Sequence, residues 1–178
     1  VRRARAAARA TVARLAPLAR AGVPIVGLEP SCVSAIRDEY RSLLVHDSDA
    51  ALLSDHIQTF EELIAREHTE GNLDLDLNER PRRLLLHGHC HQKALIGTGP
   101  SRQTLSLTGA DVTEIDSGCC GMAGSFGYEK EHYSVSMAIG RQTLFPAVEA
   151  KGDDWEVAVM GTSCRQQIEH GTGRRARH

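Results

Sequence analysis

Two adjacent cysteines lie between glycines in Ser117-Gly118-Cys119-Cys120-Gly121-Met122-Ala123-Gly124. Successive side chains of a strand point to opposite faces, so regular extended chain cannot bring both sulfurs to one site. The stretch therefore predicts a turn leading into a helix. Gly118 and Gly121 would supply the backbone freedom and Gly124 the close approach of another group. Neighbouring Cα atoms are only about 3.8 Å apart, short of the roughly 4.4–6.8 Å that an unstrained disulfide spans. Shared ligation of a metal or cluster fits the pair better than a bond between its sulfurs, or than two inert buried thiols.

The 178 residues suffice for a real core. A net charge of −2 gives no general attraction to nucleic acid. No run approaches the roughly 20 apolar residues of a membrane span. Five cysteines cannot all pair with one another, and no secretory signal opens the chain. Thiols in a reducing compartment are more often ligands or catalysts than bridges, which points to the cytoplasm, with peripheral association at the inner membrane as the variant.

Short apolar strands are expected at Val23–Leu28, Arg82–His87, Asp111–Ile115 and Trp155–Met160. Helices are expected at Val1–Ala21, Cys32–Tyr40, Asp49–Ile57, Thr59–Glu67, Pro100–Thr108 and Glu131–Ala150, the last broken near Pro146. Thr59 and Glu62 stand at capping-box spacing. Gly71–Arg80 alternates Leu with Asp or Asn and suggests an exposed hairpin or edge strand. The alternation of strands and helices predicts an α/β fold: an open, mostly parallel sheet flanked by helices. Ile25–Cys32 and Ala158–Cys164 share a layout of strand, turn, Ser, Cys and helix, which suggests two related halves with the first truncated. The expected division is 1–81 for the end of the first half and connecting helices, 82–170 for the complete second half, and 171–178 for a mobile tail.

Cys32, Cys90, Cys119, Cys120 and Cys164 each follow the C-terminal end of an expected strand. In an open parallel sheet those ends share one rim, where ligands bind. Cys32, Cys119, Cys120 and Cys164 are also expected at helix N-termini, which favour thiolate. Dispersed cysteines without a tight C-x2-C pair favour an iron–sulfur cluster over zinc. His89 and His91, and less so His87, are expected to hydrogen-bond around the site rather than ligate. Lys93 and Arg165 are read as surface groups that could also steady cluster charge. A cysteine hydrolase built on Cys90 is the remaining chemical alternative, and no orienting acid is evident for it.

Glu29-Pro30-Ser31-Cys32, His89-Cys90-His91-Gln92-Lys93, Gly118-Cys119-Cys120-Gly121-Met122-Ala123-Gly124 and Gly161-Thr162-Ser163-Cys164 resemble the cysteine-rich CCG domain. The chain is similar to the C-terminal part of fused FAD-linked oxidases of the D-2-hydroxyglutarate and D-lactate dehydrogenase kind, and to the iron–sulfur protein of glycolate oxidase. Gly161 and Glu29 stand where the fuller family pattern has a further cysteine. The resemblance implies an electron-transfer module with a 4Fe-4S cluster, passing electrons from reduced flavin to an acceptor after 2-hydroxyacid oxidation. It further implies FAD in an upstream oxidase domain and a ferredoxin-like 4Fe-4S domain in the parent chain, this piece not being catalytic by itself. The alternative is a zinc- or thiol-stabilised interaction domain of the same oxidoreductase.

Overall fold

The computed structural model describes residues 1–77 and 82–178, and its contacts divide the chain into two units, Val1–Leu63 and Ile64–His178. In the first unit α1 (Arg2–Arg20) buries Ala8, Val12, Ala16 and Ala19, spaced three to four residues apart on one stripe. That stripe packs with Val33, Leu44, Leu53 and Ile57 in one core. Strand β1 (Ile25–Gly27) leads into a helical stretch of three parts: α2 (Pro30–Ser34), a π-helical segment (Ala35–Glu39) and α3 (Tyr40–Leu43). Helix α4 (Ser48–His56) is capped by Asp47, whose carboxylate accepts from the amides of Asp49 and Ala50.

A strand that the sequence pattern does not disclose, β2 (Ile57–Thr59), pairs in parallel with β1. Its three residues are too few for a period to show. The capping box at the start of α5 (Phe60–Thr69) forms: Thr59 Oγ1 accepts from the Glu62 amide at 3.2 Å, and Glu62 Oε2 accepts from the Thr59 amide at 2.9 Å.

The second unit holds a parallel sheet in the order β4-β3-β5-β6. The strands are β3 (Arg83–His87), β4 (Asp111–Glu114), β5 (Trp155–Val159) and β6 (Ala176–Arg177). Its helices are α6 (Cys90–Leu95), α7 (Gly99–Ser106), α8 (Tyr133–Gln142), α9 (Leu144–Glu149) and α10 (Thr162–Thr172). Leu85, Val157 and Val159 share a core with Met137, Phe145, Val148 and Ile168 of α8–α10. Leu86 and Ala158, one residue out of step, pack on the other face with Leu105 and Val112. The fold is thus α/β, with parallel sheets flanked by helices.

Three expectations change. Residues 72–77 form neither hairpin nor strand, and the remainder of that segment, 78–80, lies outside the described residues. The break in Glu131–Ala150 falls at Thr143 (φ −144°), three residues before Pro146, which sits inside the first turn of α9. There its missing N–H costs nothing. The tail expected to be mobile instead carries β6, in register with Val157 and Ala158, and buries Ala176.

Arg174 anchors that tail. Its guanidinium donates to the carbonyls of Val148, Lys151, Gly152 and Trp155 at 2.6–3.2 Å, collecting the open C-terminal end of α9 and the approach to β5. Arg174→Ala is expected to lower stability by about 2–3 kcal/mol, from charge-assisted bonds lost at once. Denaturant midpoints measure this, and Arg174→Lys should recover little, because an ammonium cannot span the fork.

Candidate metal centre

Three loops leave the C-terminal rim of the second sheet after β3, β4 and β5, and each carries cysteine. Cys90 is the first residue of α6, Cys119 and Cys120 follow β4, and Cys164 is the third residue of α10. Chain order reverses between β3 and its neighbour β5: the chain leaves β3 towards β4 and leaves β5 towards β6. The loops diverge there and open the crevice in which parallel sheets bind ligands.

The central cysteines do not stand at a helix N-terminus. Residues 115–120 are irregular, and the next regular element is a short 3-10 turn at Phe126–Tyr128. The backbone turns through positive φ instead, at Gly121 (+103°), Ala123 (+40°) and Gly124 (+68°). This folds the Gly121 amide back to donate to Cys119 Sγ at 3.3 Å. Gly118 has no positive φ, so the left-handed backbone freedom foreseen for it is not used, and nothing lies within 4 Å of where its Cβ would be. Gly124 is needed for its φ and not for close approach. The close approach is at Gly121, where a Cβ would lie 2.2 Å from the Ser136 carbonyl oxygen.

Ligand atoms of His87, Cys120 and Cys164 all lie within 4.8 Å of one another, and all three residues are buried. These residues can hold a metal ion. Cys119 and Cys90, both partly exposed, continue the group outward. The Cys119 thiol is held far below its ordinary range, first by the thiol of Cys120 and then by that of Cys90, with the Gly121 and Ala123 amides adding to the effect. Cys164 is lowered to about 5, chiefly by Cys120 and, against the cost of burial, by His87. Cys120 is raised because it lends its proton to Cys119 and Cys164. Cys90 is raised by Cys119 and by burial. The four thiols thus perturb one another as neighbours in one cluster, and thiols in such a cluster give up protons when a metal binds.

His87 is the residue that sequence reasoning undervalued. It is fully buried, and its Nδ1 is 2.8 Å from Ser117 Oγ. Nε2 is buried without a hydrogen-bond partner. A ring nitrogen fixed by a hydroxyl, with the other nitrogen left open toward sulfurs, is the arrangement of a metal-ligating histidine. Alternation along β3 was the available signal: His87 is two residues beyond Leu85 and so shares the face covered by α8–α10. His89 is buried and caps α6 by accepting from the His91 amide at 3.3 Å. His91 is exposed, with its ring edge-on to His89. The Lys93 ammonium donates to the Ser117 carbonyl, so Lys93 and His87 together fix the residue that opens the cysteine loop. Arg165 is exposed. Cys32 belongs to the first unit, where it is exposed at the third position of α2, the place that Cys164 holds in α10. His87→Ala is expected to weaken metal binding by more than the roughly 10–100-fold typical of an outer-shell partner, measured by competition with a chelator.

No family model matches the chain, and no solved structure matches it. Among curated proteins, a component of the anaerobic glycerol-3-phosphate dehydrogenase of Escherichia coli (strain K12) is 35% identical over 158 residues, covering 88% of this chain and 39% of the relative. D-2-hydroxyglutarate dehydrogenase of Pantoea ananatis is 32% identical over 166 residues, covering 90% of this chain and 15% of the relative. D-2-hydroxyglutarate dehydrogenase of Escherichia coli (strain K12) is 27% identical over 165 residues, with the same shares. The chain therefore spans well under half the length of the curated relatives it matches. Among the described residues no helix is long and apolar enough to cross a membrane. This chain is homologous to a section of two kinds of dehydrogenase, and its relatives are oxidoreductases.

Proposed function

We propose that the chain is the iron–sulfur electron-transfer module of an FAD-linked 2-hydroxyacid dehydrogenase. The observation that carries this reading is the convergence of Cys90, Cys119, Cys120, Cys164 and His87 outside three parallel strand ends. The names of the relatives supply the redox context. Cys120 and Cys164 hold the buried side of the centre, and Cys90 and Cys119 its partly exposed side. His87 offers Nε2, and the contact of its Nδ1 with Ser117 Oγ holds the ring in position. An iron–sulfur centre, when bound, supplies one-electron transfer. The low-dielectric floor formed by Met122, Met137 and Ile168 excludes water from the inner thiolates. FAD and the oxidase and ferredoxin-like domains belong to the parent chain in this reading, and reduced flavin is the source of electrons for an acceptor. The two units are proposed to be related halves, with Cys32 as the first unit's counterpart of Cys164 and its share in ligation open to test.

One observation favours a second reading. Atoms of two cysteines and a histidine within 4.8 Å suit a single tetrahedral zinc ion, with Zn–S about 2.3 Å and Zn–N about 2.0 Å. The unit would then be an interaction domain stiffened by zinc. Anaerobic purification with iron, acid-labile sulfide and zinc assays separates the two. Iron and sulfide in equal amounts, with an electron paramagnetic resonance signal on reduction, are expected. Stoichiometric zinc without iron would sink the cluster reading.

A further inference from the structure

Between α10 and β6 lies a cleft of about 680 Å³ that none of the candidate ligands lines. Arg165, Gln166 and Glu169 of α10 form one wall, and Arg175, Ala176 and Arg177 form the other. Arg165 and Arg175 are exposed, and neither guanidinium has a partner among the described residues. The Arg177 side chain meets Glu156 at 3.3 Å and is still 73% exposed. Among the described residues β6 is also the last strand of its sheet, so its outer edge has no strand to take up its backbone groups.

The same chain carries a segment of matching character. Asn72-Leu73-Asp74-Leu75-Asp76-Leu77 alternates leucine with aspartate at the period of a strand, yet forms no strand in its own molecule. Leu75 is 54% exposed. Asp74 and Asp76 are exposed, and neither carboxylate has a partner among the described residues. The same period holds around β6, where Ala176 is buried and Arg175 and Arg177 on either side of it are exposed. A strand laid along this edge can put Asp74 and Asp76 beside Arg175 and Arg177. Leu75 then joins the side of Ala176, which already belongs to the core that Ile168 of α10 shares. Pairing of β6 with β6 of another copy would instead set arginine against arginine. The edge therefore admits an acidic strand and refuses itself.

We propose that residues 72–77 of a second copy of this chain add to the edge of β6 as an extra strand, each copy giving its segment to the other. Main-chain hydrogen bonds to β6 supply the affinity, and the alternation of leucine and aspartate sets the register. Two short strands make a small interface, so association in about the micromolar range is expected. The facing charges lie at the surface, so association should weaken as salt rises. The inference is independent of what the cysteines bind.

Analytical ultracentrifugation of the full 178-residue chain over a concentration series tests this. A reductant keeps the five free cysteines from linking copies. A monomer–dimer equilibrium is expected. The Asp74→Lys, Asp76→Lys variant and the Arg175→Glu, Arg177→Glu variant should each dimerise at least about ten-fold more weakly. Mixed in equal amounts, the two should form a heterodimer near wild-type strength, because both arms then face opposite charge. Arg9→Glu on α1 changes charge outside the cleft and should leave dimerisation unchanged. Arg177 also pairs with Glu156, so Arg175→Glu alone, expected to weaken dimerisation as well, replaces the double variant if that folds poorly. A wild type that stays monomeric throughout, as when the edge takes its own segment or another partner, would overturn the inference. So would wild-type dimerisation in the Asp74→Lys, Asp76→Lys variant, or no recovery on mixing the folded variants.

Discussion

Replacing Cys120 and Cys164 by serine together is expected to reduce bound metal to background, with each single substitution weakening affinity by at least about 100-fold. That exceeds the roughly 10–100-fold typical of outer-shell partners, because these two sulfurs are themselves ligands of the proposed centre. Both are buried, at 3% and 1% exposure, and the only other ligand atom grouped with them among the described residues is on His87. Serine keeps the shape but offers a hydroxyl where a thiolate is needed. Inductively coupled plasma analysis of the purified chain, with the visible spectrum, measures the loss. Cys90→Ser should cost less, since Cys90 lies on the partly exposed outer side. Cys32→Ser in the same assay decides whether Cys32 shares this centre: full metal content would assign it elsewhere. Wild-type metal content in the Cys120→Ser, Cys164→Ser double variant would remove the centre from this rim.

Gly121→Ala is expected to be the most damaging small substitution in the loop, destabilising the second unit by about 2–5 kcal/mol. Two costs add. A φ of +103° is foreign to alanine, worth about 1–2 kcal/mol. The new methyl would also stand 2.2 Å from the Ser136 carbonyl oxygen and 3.0 Å from Gln167 Nε2, and overpacking of this kind costs about 1–3 kcal/mol. The neighbour is backbone of α8, which cannot swing aside as a side-chain end could. Metal binding should fall as well, because the same turn aims the Gly121 amide at Cys119. Gly118→Ala is the matched control. Nothing lies within 4 Å of its would-be Cβ, so its stability should stay within about 0.5 kcal/mol of wild type. Equal unfolding midpoints for Gly118→Ala and Gly121→Ala would refute the close packing assigned to this turn.

Much of the second unit was readable from residue order. The apolar runs ending at His87 and Val159 were long enough to mark buried strands, and a cysteine after each strand made a common rim the economical reading. The capping box at Thr59 and Glu62 could be read because both partners lie within one turn. What escaped was of two kinds. Strands β2 and β6 have three and two residues, and their pairing is decided by partners at a distance. The cysteine loop was expected to enter a helix because glycines around a cysteine pair suit both a helix start and a free turn. Packing of Gly121 against Ser136, fifteen residues onward, selects the turn.

Local residue chemistry alone specified the donors: thiols just past apolar strands, with a histidine at the end of one of them. Only the folded chain decided which of those donors meet. His87 was the least favoured as a ligand among His87, His89 and His91, yet strand alternation and a hydroxyl thirty residues away set its ring beside Cys120 and Cys164. His91, four residues later, is left at the surface. Residue types and spacings record what a side chain can bind. Its direction depends on pleat, register and the helices that close over it, which are properties of the whole sheet.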